Sequence, residues 1–195
     1  MVNLKNMSTK FLIINVVRRV IVIFGCLVFV FSFISPFYFI SSEFGGTGSS
    51  THYWSFKSDY YYSMDLRGSG SSHLWFSSYW FTHSLAGGIG IPWVLVSLFT
   101  VQVLTLVFGV VFIFSSRRTL SFEPIIFSIA ALVLMTSTAK VITNGNFLLV
   151  SQYQLGYYLV YPSVALFVCA FALNEVVKKI QTANRDTNIP VKTHT

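Results

Sequence analysis

Residues 41–88 read SSEFGGTGSSTHYWSFKSDYYYSMDLRGSGSSHLWFSSYWFTHSLAGG, and the reading of this stretch decides the fold. It is rich in Ser, Gly and aromatic side chains, whereas the runs on either side, 20–40 and 89–114, are apolar and long enough to cross a bilayer. Twelve of its 48 residues are aromatic, too many for a flexible tether. The stretch is therefore expected to fold outside a membrane, between two spans.

Inside it, 44–50 carries three glycines and reads as a loop. His52, Trp54, Phe56, Tyr60, Tyr62 and Met64 share one parity, while Ser55, Lys57, Asp59, Ser63 and Asp65 share the other. This period of two predicts one strand or two short ones, with Trp54, Phe56, Tyr60 and Tyr62 on one face that is buried or used for contact. Tyr53 and Tyr61 interrupt the polar parity. Gly68 and Gly70 mark 66–72 as a turn. Residues 73–85, with Trp75 and Trp80, fit neither template, and a short helix on the membrane surface is expected because Trp and Tyr favour that interface.

Working outward, 20–40 contains no charge and is the first span, about 31 Å of helix at about 1.5 Å per residue. Arg18 and Arg19 are placed at its inner boundary, since an arginine at a bilayer centre costs roughly 2.5–3.5 kcal/mol. Residues 1–19 form an inner N-terminus, with 11–17 lying along the surface. The second span is 89–114, with Gln102 as its strongly polar residue, followed by a basic loop at 115–123. The third span is 124–143, opening on Pro124 and containing small residues that let helices approach closely. Residues 144–156 make an outer turn and an interfacial lead-in, 157–177 is the fourth span, and 178–195 is a cytoplasmic tail, disordered from 181 onward.

The composition agrees with that partition. The chain of 195 residues is 54% hydrophobic and 10% charged, far from the roughly 25% charge of soluble domains. Its net charge of +7 sits in clusters at span ends rather than in one stripe, so nucleic acid is not an expected partner. Ten lysines and arginines fall on the side of the termini and three on the other, which places both termini in the cytoplasm. Cys26 and Cys169 lie in apolar runs, excluding a disulfide-stapled outer domain. The first apolar run exceeds a signal-peptide core and is expected to remain as an anchor. The fold class expected is an all-α integral membrane protein with four transmembrane helices. A small extracytoplasmic β or α+β segment separates the first two spans.

Chemistry is sparse. His52, His73 and His83 share the outer stretch with Glu43, Asp59 and Asp65, but no pair has the short spacing of a metal motif. They read as polar tips at an aromatic interface, with metal binding as the weaker alternative. No catalytic residue and no cofactor is predicted. Lys140, the charge in the third span, reads as snorkelling outward, with a buried partner such as Gln102 as the alternative.

Four spans, inner termini and a first outer loop of about 50 residues with tryptophans give a layout that resembles the claudin-type tetraspan proteins. The resemblance is one of topology, since that family's Gly-Leu-Trp motif and paired cysteines do not occur in the loop.

The function expected is a non-enzymatic multi-pass protein of the plasma membrane. It acts as an accessory or structural subunit that offers the outer aromatic residues Trp54, Phe56, Tyr60, Tyr62, Trp75 and Trp80 to other membrane subunits or to a second copy. A small subunit of a membrane redox complex, and an oligomeric channel or transporter lined by Lys140 and Gln102, are the alternatives. Metal analysis separates the first of these from the leading reading, and native mass in detergent separates the second.

Overall fold

The computed structural model describes residues 4–44, 47–54, 56–64, 68–75, 90–115, 117–143 and 149–187. Four helices dominate: α1 (Leu4–Ile34), α2 (Gly90–Phe114), α3 (Arg118–Thr143) and α4 (Leu155–Thr187). Each contains an apolar stretch long enough to cross a membrane, namely Phe11–Ile34, Leu95–Phe114, Leu120–Lys140 and Leu155–Thr182. The shortest is 20 residues, about 30 Å of helix.

The helices form an antiparallel bundle in which α1 packs along α4 and α2, and α3 packs along α2 and α4. Two glycines permit the close approach of α1 to its neighbours. A Cβ on Gly109 of α2 would stand 2.6 Å from the Cys26 sulfur, and one on Gly25 of α1 would stand 3.0 Å from the Phe167 ring of α4. Buried apolar side chains from all four helices fill the interior, among them Val22, Phe29, Leu98, Phe112, Met135 and Phe167. Apolar side chains also cover the outside, with Leu12, Phe24, Phe31, Val107, Val133 and Val168 all exposed.

Five antiparallel strands sit at one end of the bundle: β1 (Tyr38–Phe44), β2 (Thr47–Tyr53), β3 (Lys57–Met64), β4 (Gly68–Trp75) and β5 (Leu149–Tyr153). Their order is β4-β3-β2-β1-β5, so the strand from the second connection closes the sheet beside β1. At the other end lie the start of α1, the α2–α3 turn and the end of α4.

The structure departs from the sequence reading in several places. Helix α1 runs unbroken through 11–17 and past both arginines, and it stops at Ile34 rather than at 40. Pro36 disfavours helix in the residue before it and supplies no N–H, and β1 begins at Tyr38. Helix α3 starts at Arg118, ahead of Pro124, and α4 continues into the expected tail as far as Thr187. Part of the loop expected at 44–50 is strand β2, the expected turn at 66–72 becomes β4 from Gly68 onward, and the expected lead-in contains β5. The helix expected over 73–85 gives way to strand as far as Trp75, and the rest of that range lies outside the described residues.

The expected single face also changes. Alternation does not carry straight across a hairpin, because facing residues depend on the turn. Here Tyr53 pairs with Ser58 and His52 with Asp59, so even positions on β2 face odd positions on β3. Tyr60 is opposite Thr51, in the row of Ile40, while His52 is in the row of Phe39. Tyr53, which interrupted the polar parity, packs against the core with Tyr38 and Ile40.

Candidate functional site

Two polar and aromatic constellations stand out, one where the sheet meets the helices and one near the opposite end of the bundle.

The first is the seat of the sheet. After Pro36 turns the chain, the Phe37 amide donates to the Tyr53 carbonyl at 2.9 Å, and the Gln154 amide donates to the Phe37 carbonyl at 3.0 Å. The Gly156 amide donates to the Pro36 carbonyl at 2.9 Å, and the Ser32 hydroxyl donates to the Gly156 carbonyl at 2.5 Å. These bonds join the end of α1, the C-terminal ends of β2 and β5 on either side of β1, and the start of α4. Gly156 is required there because a Cβ would stand 2.6 Å from the Ser35 carbonyl oxygen and 2.8 Å from that of Pro36.

Aromatic side chains complete the seat. The Trp54 indole Nε1–H donates to the Ile34 carbonyl at 3.0 Å, satisfying one of the carbonyls that a helix end leaves without a partner. Phe56 lies on Phe33 of α1, with ring centroids 5.4 Å apart, and Phe33 in turn meets Phe99 of α2 at 5.7 Å. Tyr38, Tyr153 and Tyr157 form a run with centroids 5.4 and 4.1 Å apart, ending on the Tyr157 and Tyr161 hydroxyls 2.9 Å from each other. Burial, then the neighbouring Tyr157 and Tyr38, raise the Tyr153 pKa above its ordinary value.

Of the contact residues named from sequence, Trp54 and Phe56 are thus engaged with α1. Tyr60 and Tyr62 lie on β3 opposite Thr51 and Ser49, and Trp75 closes β4 opposite Lys57. Trp80 and His83 lie outside the described residues. On the other face of the sheet the His52 ring meets Phe39 at 4.7 Å and the edge of Tyr61 at 6.4 Å, and Tyr61 is 42% exposed. His52, Asp59 and His73 are successive Cα partners across β2, β3 and β4, a juxtaposition that sequence spacing concealed. Among the described residues no group of three His, Cys, Asp or Glu could hold a metal ion.

The second constellation is a polar clasp that the sequence reading missed. Arg18 on α1 is only 2% exposed, and its Nη1 donates to the Ser115 carbonyl at 2.9 Å, the Asn174 Oδ1 at 3.3 Å and the Phe112 carbonyl at 3.4 Å. Its Cζ lies 5.3 Å from the centre of the Phe112 ring, within cation–π range. Asn174 Nδ2 passes the network on to the Ser121 hydroxyl at 3.3 Å. One side chain from each of α1, α3 and α4, with the last carbonyls of α2, thereby ties all four helices. The α2 carbonyl end carries about half a negative charge and partly offsets the guanidinium.

Gln102 and Lys140 are not brought together. Gln102 is buried near the middle of α2 with no hydrogen-bond partner for Oε1 among the described residues, whereas Lys140 is exposed in the last turn of α3, where a cation suits the helix end. Glu175 and Lys178 form a half-exposed pair at 3.2 Å, of the kind that contributes little. The sequence matches no protein-family model, and no curated protein matches it.

Proposed function

We propose that the chain is a four-span integral membrane protein of the plasma membrane. Both termini are cytoplasmic, and the sheet forms an outer platform through which it binds another membrane subunit as a non-enzymatic accessory or structural component. The observation that carries this reading is the seat of the sheet. Strands from two separate connections are joined to each other and hydrogen-bonded to the ends of α1 and α4, so the platform is held in one orientation relative to the helices. Such preorganisation favours docking, because little remains to be ordered on binding.

Two features support the membrane part. Exposed apolar side chains run along all four helices, an arrangement costly in water and favourable in lipid. Lysines and arginines gather at the end of the bundle away from the sheet.

Contact is assigned to the face of the sheet carrying His52 and Tyr61. Isolation from native membranes in mild detergent, with chemical crosslinking, is expected to recover a partner on the parent chain and to lose it on Tyr61→Ser. Equal recovery by both chains contradicts the assignment of that face.

A further inference from the structure

Arg18 carries a charge that no acidic side chain among the described residues offsets. Among the described residues all of its hydrogen bonds leave from Nη1, and Nε is buried with no acceptor. A guanidinium has five N–H donors in a rigid fork, and the edge formed by Nε and Nη2 can hold a phosphate or carboxylate by two parallel bonds. Among the described residues that edge has no acceptor. Its level is informative too: Arg18 falls within the apolar stretch of α1, Phe11–Ile34, but its Nη1 reaches Ser115, the residue after the apolar stretch of α2 ends at Phe114, so the guanidinium is level with the apolar–polar boundary of α2. Lipid phosphates occupy such a boundary.

We propose that this edge of Arg18 takes the phosphate of an anionic phospholipid headgroup where α1 passes the end of α2. The proposal rests on the membrane reading above. The surroundings favour an anion. Lys5, Lys10, Arg19, Arg117, Arg118, Lys178, Lys179 and Arg185 share this end of the bundle, against Glu123, Glu175 and Asp186. Basic clusters between spans on the cytoplasmic side attract acidic headgroups. The phosphate would supply the counter-charge that Asn174 and the α2 carbonyls only partly provide.

The test uses the full chain purified in mild detergent and stripped of lipid. Native mass spectrometry then follows binding of phosphatidylglycerol, of phosphatidylcholine with the same acyl chains, and of inorganic phosphate. The parent is expected to bind phosphatidylglycerol about tenfold or more tightly than phosphatidylcholine. Arg18→Lys keeps the charge but loses the fork, and most of that preference should go with it. Lys140→Gln, at an exposed position in the last turn of α3 at the other end of the bundle, should keep it.

Equal binding of the two lipids by the parent overturns the proposal, as does an unchanged preference in Arg18→Lys. Competition by inorganic phosphate as effective as the lipid's own binding also overturns it, since the site would then hold a free anion. The parent arm decides even where a variant fails to fold. Alkaline carbonate extraction of the same membranes separates the two readings: retention without lipid preference refutes the lipid site alone, and release refutes the membrane reading as well.

Discussion

Arg18 and Arg19 are adjacent and chemically identical, yet the first is buried among three helices and the second is exposed. Their shared charge reads as a boundary in the sequence, and only the helical rotation of about 100° between neighbours sends one inward. A signal was present in Asn174, a polar residue within the last apolar run, but nothing linear connects positions 156 residues apart. Asn174→Ala removes an acceptor from Arg18 and a donor to Ser121, leaving a buried cation short of a partner. We expect a loss of about 1–3 kcal/mol, read as a lowered thermal midpoint in detergent. An unchanged midpoint would mean that the clasp contributes nothing. Gly156→Ala should do more damage. Its methyl would meet three backbone oxygens, of Ser32, Ser35 and Pro36, all within 2.9 Å, and backbone at a four-way junction does not yield cheaply. If the variant folds with parental stability, the close approach of α1 and α4 is misplaced.

At the scale of elements, the helices were legible because long apolar runs leave few alternatives, while their ends were not. Pro36 set the end of α1 earlier than the apolar content suggested, and the charged start of α3 and end of α4 remained helical beyond the apolar stretches. The sheet was half legible. Alternation located β3 and the end of β2, but which residues face each other depends on the turn between them, and β5 is a five-residue strand whose partner lies more than 100 residues away. That register can be tested by cysteine pairs. Phe39→Cys with Gln152→Cys places the thiols on Cα partners of adjacent antiparallel strands, close to disulfide geometry, and should crosslink readily under mild oxidant. Phe39→Cys with Ser151→Cys places them on opposite faces and should not. The reverse result would shift β5 by one residue and turn its side chains over.

At the scale of the molecule, four apolar helices carry a sheet held on one end, and the proposed function places this end outside the cell. The seat predicts that the sheet keeps its place through side chains as well as through the chain. Trp54→Phe loses the bond to Ile34 while keeping an aromatic ring, so proteolysis within the sheet should quicken while the helices remain in the membrane fraction. Unchanged proteolysis would show that Trp54 does not hold the sheet to α1. The orientation itself was read from lysine and arginine counts, which the antiparallel bundle now joins to specific places: the sheet at one end, and the start of α1 and the end of α4 at the other. The most direct measurement is labelling of single cysteines in intact cells by a membrane-impermeant thiol reagent, with Ser49→Cys in β2, Ser69→Cys in β4 and Thr187→Cys at the end of α4. Labelling is expected at Ser49→Cys and Ser69→Cys, and at Thr187→Cys only after the membrane is permeabilised. Labelling of Thr187→Cys in intact cells, with the two sheet positions protected, would contradict this orientation.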